Sequence, residues 1–210
     1  MPEIGRWKPL AVLAAVALWG QTPAQSPNPT SIDTAQARVI LATEQPHRPG
    51  ALHEHATNRV QIYLNSGVTT LTSPTGKVER IEYKAGDVRW SLAGGRHISE
   101  NITDQPVRIV EIELKNEPHP GMKMSDLDPL KVDPKHYKLE LENDQVRVLR
   151  VRFGPGEKGV QHEHSLNHIV VYLNDQRKGK AGEFRLDPPE THSEENPLDH
   201  AVERIAIDLK

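Results

Sequence analysis

The chain has 210 residues, enough for one ordinary domain or two small ones, with a formal net charge of −3 and 17 prolines, 14 glycines and 4% aromatics. A nearly balanced charge excludes recognition of nucleic acid through a broad basic surface. Without cysteine there are no disulfides and no thiolate ligands, so any metal site must be built from His, Asp and Glu. In chain order, Arg6 and Lys8 precede an apolar run from Leu10 to Trp19, followed by Gly20, Gln21, Thr22, Pro23 and Ala24. A basic start, a short apolar stretch and a small-residue exit form the signal-peptide pattern. The run is too short to span a bilayer, which takes about 20 residues; the competing reading is a tethered N-terminal anchor. Residues 1–24 are therefore expected to be removed after Ala24. The mature protein is expected to be exported, periplasmic or secreted, with no membrane contact once the signal is gone. Residues 25–36 read as a flexible mature terminus.

The remainder repeats itself. Residues 37–67 align without gaps on residues 146–176 at a constant offset of 109. Pro46 meets Pro155, Gly50 meets Gly159, His53-Glu54-His55 meets His162-Glu163-His164, and Tyr63-Leu64-Asn65 meets Tyr172-Leu173-Asn174. At a shorter offset Lys84-Ala85-Gly86-Asp87 meets Lys180-Ala181-Gly182-Glu183, His97 and Asn101 meet His192 and Asn196, and Glu113-Leu114-Lys115 meets Asp208-Leu209-Lys210. The chain thus reads as an internal duplication, with repeat one over 37–116, a Pro-rich linker over 117–134 and repeat two over 135–210. Apolar and polar residues alternate through Tyr137-Lys-Leu139-Glu-Leu141 and through Ile205, Ile207 and Leu209, the period of half-buried strands. The apolar run Ile169 to Leu173 suits a strand buried on both faces. No mature segment sustains a 3.6-residue period, so the fold class is all-β. Repeat one carries 18 residues between its Tyr-Leu-Asn and Lys-Ala-Gly blocks, residues 66–83, against five in repeat two, residues 175–179. The extra residues read as a β-hairpin, and the second barrel is expected to be smaller or more open where it is missing.

Six of the eleven histidines, His53, His55, His97, His162, His164 and His192, stand opposite a histidine of the other repeat. Residues i and i+2 of a strand point to one face, so His53 and His55 aim into one space, as do His162 and His164. A strand pairing could add His97 or His192 and complete three nitrogens around a metal, leaving open positions for water or substrate. Glu54 and Glu163 should face the opposite side as solvated charges. A single such pair is more often a surface feature; two equivalent pairs favour ligation. Trp90 reads as core packing in preference to a pocket wall.

These motifs resemble those of the cupin superfamily, Gly-x5-His-x-His-x(3 or 4)-Glu-x6-Gly and Gly-x5-Pro-x-Gly-x2-His-x3-Asn. Gly156, His162 and His164 match the start of the first. Gly86, Gly94, His97 and Asn101 match the second, with Leu92 in place of Pro; Gly182, Pro188, His192 and Asn196 match it one residue short, with Glu190 in place of Gly. The resemblance implies two tandem jelly-roll (double-stranded β-helix) barrels, a bicupin with the second barrel shortened, packed through edge strands that also offer a route to homo-oligomers. It implies metal ligands His53, His55 and His97 in repeat one and His162, His164, His168 and His192 in repeat two, with one divalent ion (Fe, Mn, Zn, Ni or Cu) per occupied repeat. The family's glutamate ligand is replaced by Arg59 (or Val60 at the longer spacing) in repeat one and by His168 in repeat two. Arg59 beside three histidines must turn outward or bind an anionic substrate, which tilts the expected metal occupancy toward repeat two. Asn101 and Asn196 are expected to bond the backbone, and His47, His119, His136 and His200 to lie at surface or turn positions. Three functions follow: a metal-dependent enzyme of dioxygenase or isomerase type acting on a small molecule, a periplasmic module that captures a small ligand or metal without turnover, or a degenerate structural protein. The sequence shows no Ser or Cys nucleophile motif.

Overall fold

The computed structural model describes residues 30–210; the expected signal peptide lies outside them. The first half contains β1 (Ser31–Asp33), β2 (Ala37–Glu44), β3 (His53–His55), β4 (Arg59–Tyr63), β5 (Gly67–Thr72), β6 (Val78–Tyr83), β7 (Val88–Ser91), β8 (Gly94–Asn101) and β9 (Val107–Leu114). A four-residue helix, α1 (Pro129–Val132), leads into β10 (Tyr137–Glu142), β11 (Val146–Phe153), β12 (His162–His164), β13 (His168–Tyr172), β14 (Phe184–Asp187), β15 (Glu190–His192) and β16 (Val202–Leu209). Each half is a barrel made from one five-stranded antiparallel sheet, ordered β1-β2-β9-β4-β7 or β10-β11-β16-β13-β14, and one smaller sheet. The smaller sheet is four-stranded, β3-β8-β5-β6, in barrel one, and reduces to β12-β15 in barrel two. The missing pair is the β5–β6 hairpin foreseen from the length difference.

Strand alternation explains how the barrels join. Val60 and Ile62 of β4, Val110, Ile112 and Leu114 of β9, Ile169 and Val171 of β13, and Ile205, Ile207 and Leu209 of β16 belong to one apolar cluster drawn from both halves. The intervening residues Arg59, Gln61, Tyr63, Ile109 and Glu111 line the inside of barrel one. The two large sheets therefore pack face to face, not through edge strands, because these strands are apolar on the side that leaves their own barrel. This also accounts for β13, all five of whose residues are buried. Truncating one of these side chains to Ala should cost about 2–5 kcal/mol.

The junction is closed by hydrogen bonds at equivalent positions. Asn58 Nδ2 donates to Gln145 Oε1 at 2.6 Å, and Asn167 Nδ2 donates to Gln36 Oε1 at 2.7 Å. Asn101 and Asn196 tie down equivalent strand ends: Asn101 Nδ2 donates to the carbonyls of Glu44 and Gln105, and Asn196 Nδ2 to those of Phe153, Gly154 and His200.

Two further sequence assignments change. Residues 31–33, expected in a flexible terminus, form β1 and pair with Arg38 to Ile40, because Ile32 joins the central core and Thr34 Oγ1 accepts from the amides of Gln36 and Ala37 to set the turn. His136 is buried, not a surface residue. Its Nδ1 lies 2.7 Å from Asp133 Oδ1, and its ring stacks on Phe153 at 4.1 Å. The linker is anchored as well. Asp128 caps α1 by accepting from Leu130 N and holds the buried Arg147 through two hydrogen bonds of 2.5 and 2.7 Å.

Candidate metal centre

In barrel one β3 pairs with β8 so that His53 stands opposite His97, and a register shift follows before His55 meets Gly94. Gly94 and Gly95 take φ of 85° and 70° at this bulge, a conformation that favours glycine and lets the strand turn His97 toward the other two rings. The ligand nitrogens of His53, His55 and His97 lie within 4.8 Å of one another, and ring pairs 53–55 and 53–97 meet edge to face with centroids 4.9 and 4.6 Å apart. His53 Nδ1 is 2.8 Å from Ala51 O, and His97 Nδ1 is 2.5 Å from Gly95 O. A carbonyl only accepts, so both Nδ1 atoms carry the proton and both Nε2 lone pairs are left for a ligand. Burial, then the charge of Arg59, lowers the His55 pKa to about 4, which keeps that ring neutral. The donor set therefore fits a borderline divalent cation.

This cluster opens into a cavity of about 500 Å3 walled on one side by Thr69 and Leu71 of β5 and Ile81 of β6, within the range for small-molecule sites of roughly 300–1,000 Å3. Arg59 lines the cavity but does not confront the histidines with a bare charge. Its Nη1 donates to Glu111 Oε1 at 3.1 Å and its Nη2 to Ser91 Oγ at 3.2 Å, while Gln61 Nε2 donates to the same Glu111 oxygen at 2.9 Å. The repulsion expected to disfavour a cation in repeat one is thus compensated by Glu111. The Arg59 Nε is buried with no hydrogen-bond partner. Trp90 packs against the inter-barrel core, and Glu54 is exposed.

In barrel two the pairing is regular, His162 opposite His192 and His164 opposite Glu190. His162, His164 and His192 again bring ligand atoms within 4.8 Å, with rings at 79°, 89° and 60° to one another. His162 Nδ1 lies 3.0 Å from Val160 O, and His192 Nδ1 lies 2.9 Å from Glu190 Oε1. His192 Nε2 is buried without a hydrogen-bond partner, as are His164 Nδ1 and Asp208 Oδ1, and the last two are 3.7 Å apart. The unpartnered His192 Nε2 is free to take a ligand, with Asp208 behind His164, whereas His162 Nε2 is already met by the Tyr137 hydroxyl at 2.9 Å. His168 does not join that triad; it stacks on His164 at 4.2 Å and groups with Asp208, or with Asp187 and Glu190. The four-histidine arrangement expected from the sequence is therefore not assembled around one point. Burial, chiefly, lowers the pKa of His162 and of His168.

The chamber beside this cluster measures about 10 Å3, the volume of about one water. The occupants are large. Phe153 stands where barrel one has Glu44, Glu194 where it has Ser99, and Arg204 where it has Ile109; the last equivalence is explicit in the register, Tyr63 opposite Ile109 and Tyr172 opposite Arg204. Arg204 is ion-paired with Glu194. Tyr137 OH donates to Glu194 Oε2 at 2.8 Å and lies 2.9 Å from His162 Nε2. Burial pushes the Glu194 pKa up, but Arg204 and the Tyr137 hydroxyl outweigh it and hold the carboxyl at about 2. Burial, then the Glu194 charge, raises the Tyr137 pKa well above the usual phenol value, so Tyr137 stays a donor. Without the hairpin wall the barrel interior would open to water, and these side chains close it. The second barrel is smaller inside, not more open. None of Glu111, Asp208, Tyr137, Glu194 and Arg204 stands out in the sequence, although Asp208, which aligns with Glu113, and Glu194, which aligns with Ser99, sit in repeat blocks.

No family model matches the sequence, and no curated protein matches it. Solved structures do match. AerE from Microcystis aeruginosa superposes with a TM-score of 0.63 at 13% identity, over 86% of this chain and 90% of that one. A cupin 2 conserved barrel domain protein from Leptotrichia buccalis gives 0.52 at 13%, over 85% and 86%. A salicylate 1,2-dioxygenase from Pseudaminobacter salicylatoxidans gives 0.55 at 14%, over 82% and 71%. At such identities the likeness concerns architecture: the chain has the two-barrel cupin fold.

Proposed function

We propose that the protein is an exported, internally duplicated cupin in which barrel one holds a divalent ion on His53, His55 and His97 and acts on a small molecule. One observation carries this reading: three convergent imidazoles at the side of a cavity of about 500 Å3. Structural metal sites are closed, whereas catalytic ones keep a position open to substrate. By that criterion barrel one is the reactive centre and barrel two the closed one. The likeness in fold to a salicylate 1,2-dioxygenase supports oxygenase-type chemistry on an organic acid. A bound ion there would supply Lewis-acid and, if redox-active, electron-transfer chemistry. The chain's own contribution is positional. Ala51 O and Gly95 O fix the tautomers of His53 and His97, and Arg59, held by Glu111 at the cavity wall, is the group that would meet an anionic substrate. Thr69, Leu71 and Ile81 of the β5–β6 hairpin wall one side of the cavity.

The test is oxygen uptake and product analysis for the mature protein loaded in turn with Fe, Mn, Zn, Ni or Cu, against small organic acids. Turnover that His53→Ala/His97→Ala abolishes and His162→Ala/His192→Ala leaves in place is the expected result. A second reading, capture of a small ligand without turnover, is favoured by the absence of a carboxylate among the three ligands. It predicts saturable binding to the loaded protein with no product from any acid tested.

A further inference from the structure

Barrel two places a further set of donors behind its histidine triad. Asp208 of β16 lies outside both cupin motifs and stands opposite His168 of β13 in the ladder. His164, His168 and Asp208 are only 5%, 2% and 4% exposed, and their ligand atoms lie within 4.8 Å of one another. His164 Nδ1 and Asp208 Oδ1 face each other at 3.7 Å, and each is buried without a hydrogen-bond partner. That separation is too long for a hydrogen bond. It is close to the roughly 3.4 Å between two ligand atoms of a tetrahedral ion with bonds of about 2.0–2.1 Å. Leaving two such buried atoms unmet is costly. The triad itself is less open to an ion, because the Tyr137 hydroxyl covers His162 Nε2 at 2.9 Å.

The charges around these donors call for a cation. Arg147 reaches Asp208 at 3.7 Å but is already held by Asp128 through two hydrogen bonds. Asp187, on the other side of His168, is paired with Arg185, and Glu194 with Arg204. Glu190, opposite His164, meets His192 and no Lys or Arg among the described residues. Four carboxylates, Asp128, Asp187, Glu190 and Asp208, therefore face two guanidinium groups, Arg147 and Arg185, and four minus two leaves two negative charges without a fixed counter-ion. Barrel one differs at this point: Arg59 stands in the place of His168, so a guanidinium occupies the position.

We infer that barrel two holds a divalent cation on His164 Nδ1, His168 and Asp208, at a site offset from the His162–His164–His192 triad. Two imidazoles and one carboxylate suit Zn(II) or Co(II). The chamber beside them is about 10 Å3, which leaves no space for a substrate, so the ion is structural. It ties β12 of the two-stranded sheet to β13 and β16 of the large sheet, in the barrel whose small sheet lacks the hairpin.

Barrel one plays no part in this site, so the test uses the mature chain with both triads removed, His53→Ala/His97→Ala/His162→Ala/His192→Ala, loaded with Co(II) alone. Visible absorption and elemental analysis after dialysis should find about one cobalt per chain with the spectrum of a four-coordinate ion. Adding Asp208→Asn, or separately His168→Gln, should weaken binding by about a hundredfold or more. Circular dichroism reports whether each chain is folded, and Co(II) should raise the Tm of the background chain and not that of its Asp208→Asn derivative. In the otherwise wild-type chain, Asp208→Asn and His168→Gln should each lower the cobalt count by about one, whereas His162→Ala/His192→Ala should not. A folded background chain that takes up no cobalt, binding that survives both Asp208→Asn and His168→Gln, or a cobalt count that falls in His162→Ala/His192→Ala would each overturn the inference. Failure of the barrel-one centre would leave these readings of the background chain unchanged.

Discussion

Substituting barrel-two residues by their barrel-one equivalents tests whether the second interior is held shut by a matched pair. Arg204 and Glu194 have side chains only 10% and 15% exposed. In Arg204→Ile, the residue of position 109, Glu194 keeps its charge and loses its counter-ion inside the barrel. Removing one partner of a buried pair costs about 3–5 kcal/mol. For a chain of this size 1 kcal/mol moves Tm by roughly 2–4 °C, so a fall of about 10 °C is expected. In Arg204→Ile/Glu194→Ser, which restores the barrel-one residues of positions 109 and 99, no buried charge is orphaned and Tyr137 can still donate to His162 Nε2, 2.9 Å away. The double variant should therefore recover most of the loss, down to about 1–2 kcal/mol for the space vacated. Thermal unfolding of wild type, both single variants and the double variant completes the cycle. If the double variant is as unstable as the sum of the singles, or if Arg204→Ile is silent, the pair does not close the barrel and the account of its interior is wrong.

Other expectations follow from the same structure. Asp128→Ala leaves Arg147, itself 3% exposed, with only Asp208 at 3.7 Å; urea unfolding should show a loss of about 3 kcal/mol. Gly159→Ala places a Cβ 2.7 Å from Asp133 Oδ2 and 3.0 Å from the Phe153 ring, and should cost about 1–3 kcal/mol in the same assay. The Lys135 ammonium, then the Gly154 amide, holds the Glu157 pKa at about 2, below its unfolded value. Its contribution is therefore present above the ordinary carboxylate range and fades as pH falls toward about 2. Glu157→Gln should lower Tm at neutral pH, with the gap to wild type closing on acidification; a gap independent of pH would refute the linkage.

Much of the architecture was legible because period-two patterning and an internal alignment carry information about faces and equivalence. The His53/His55 and His162/His164 pairs and the hairpin missing from the second half followed from spacing, and their completion by His97 and His192 from the resemblance to cupin motifs. What a residue meets across a sheet did not. Arg59 looks like an uncompensated charge until β4 pairs with β9 and brings Glu111 to it. His168 looks like a fourth ligand until its register opposite Asp208 and Asp187 turns it toward carboxylates. His136 looks like an isolated surface residue until Asp133 and Phe153 enclose it. The plugging of barrel two hides in the sequence for the same reason: Phe153 lies far from Glu194 and Arg204 in the chain, and the three meet only when the barrel closes.

The central claim is that barrel one carries the open metal centre. Elemental mass spectrometry of the mature protein after incubation with Fe, Mn, Zn, Ni or Cu tests it directly, beside His53→Ala/His97→Ala and His162→Ala/His192→Ala. The account predicts a tightly held divalent ion in wild type, lost from barrel one in the first variant and retained there in the second. A wild-type protein that stays metal-free, or a first variant that keeps its full metal complement, would contradict it.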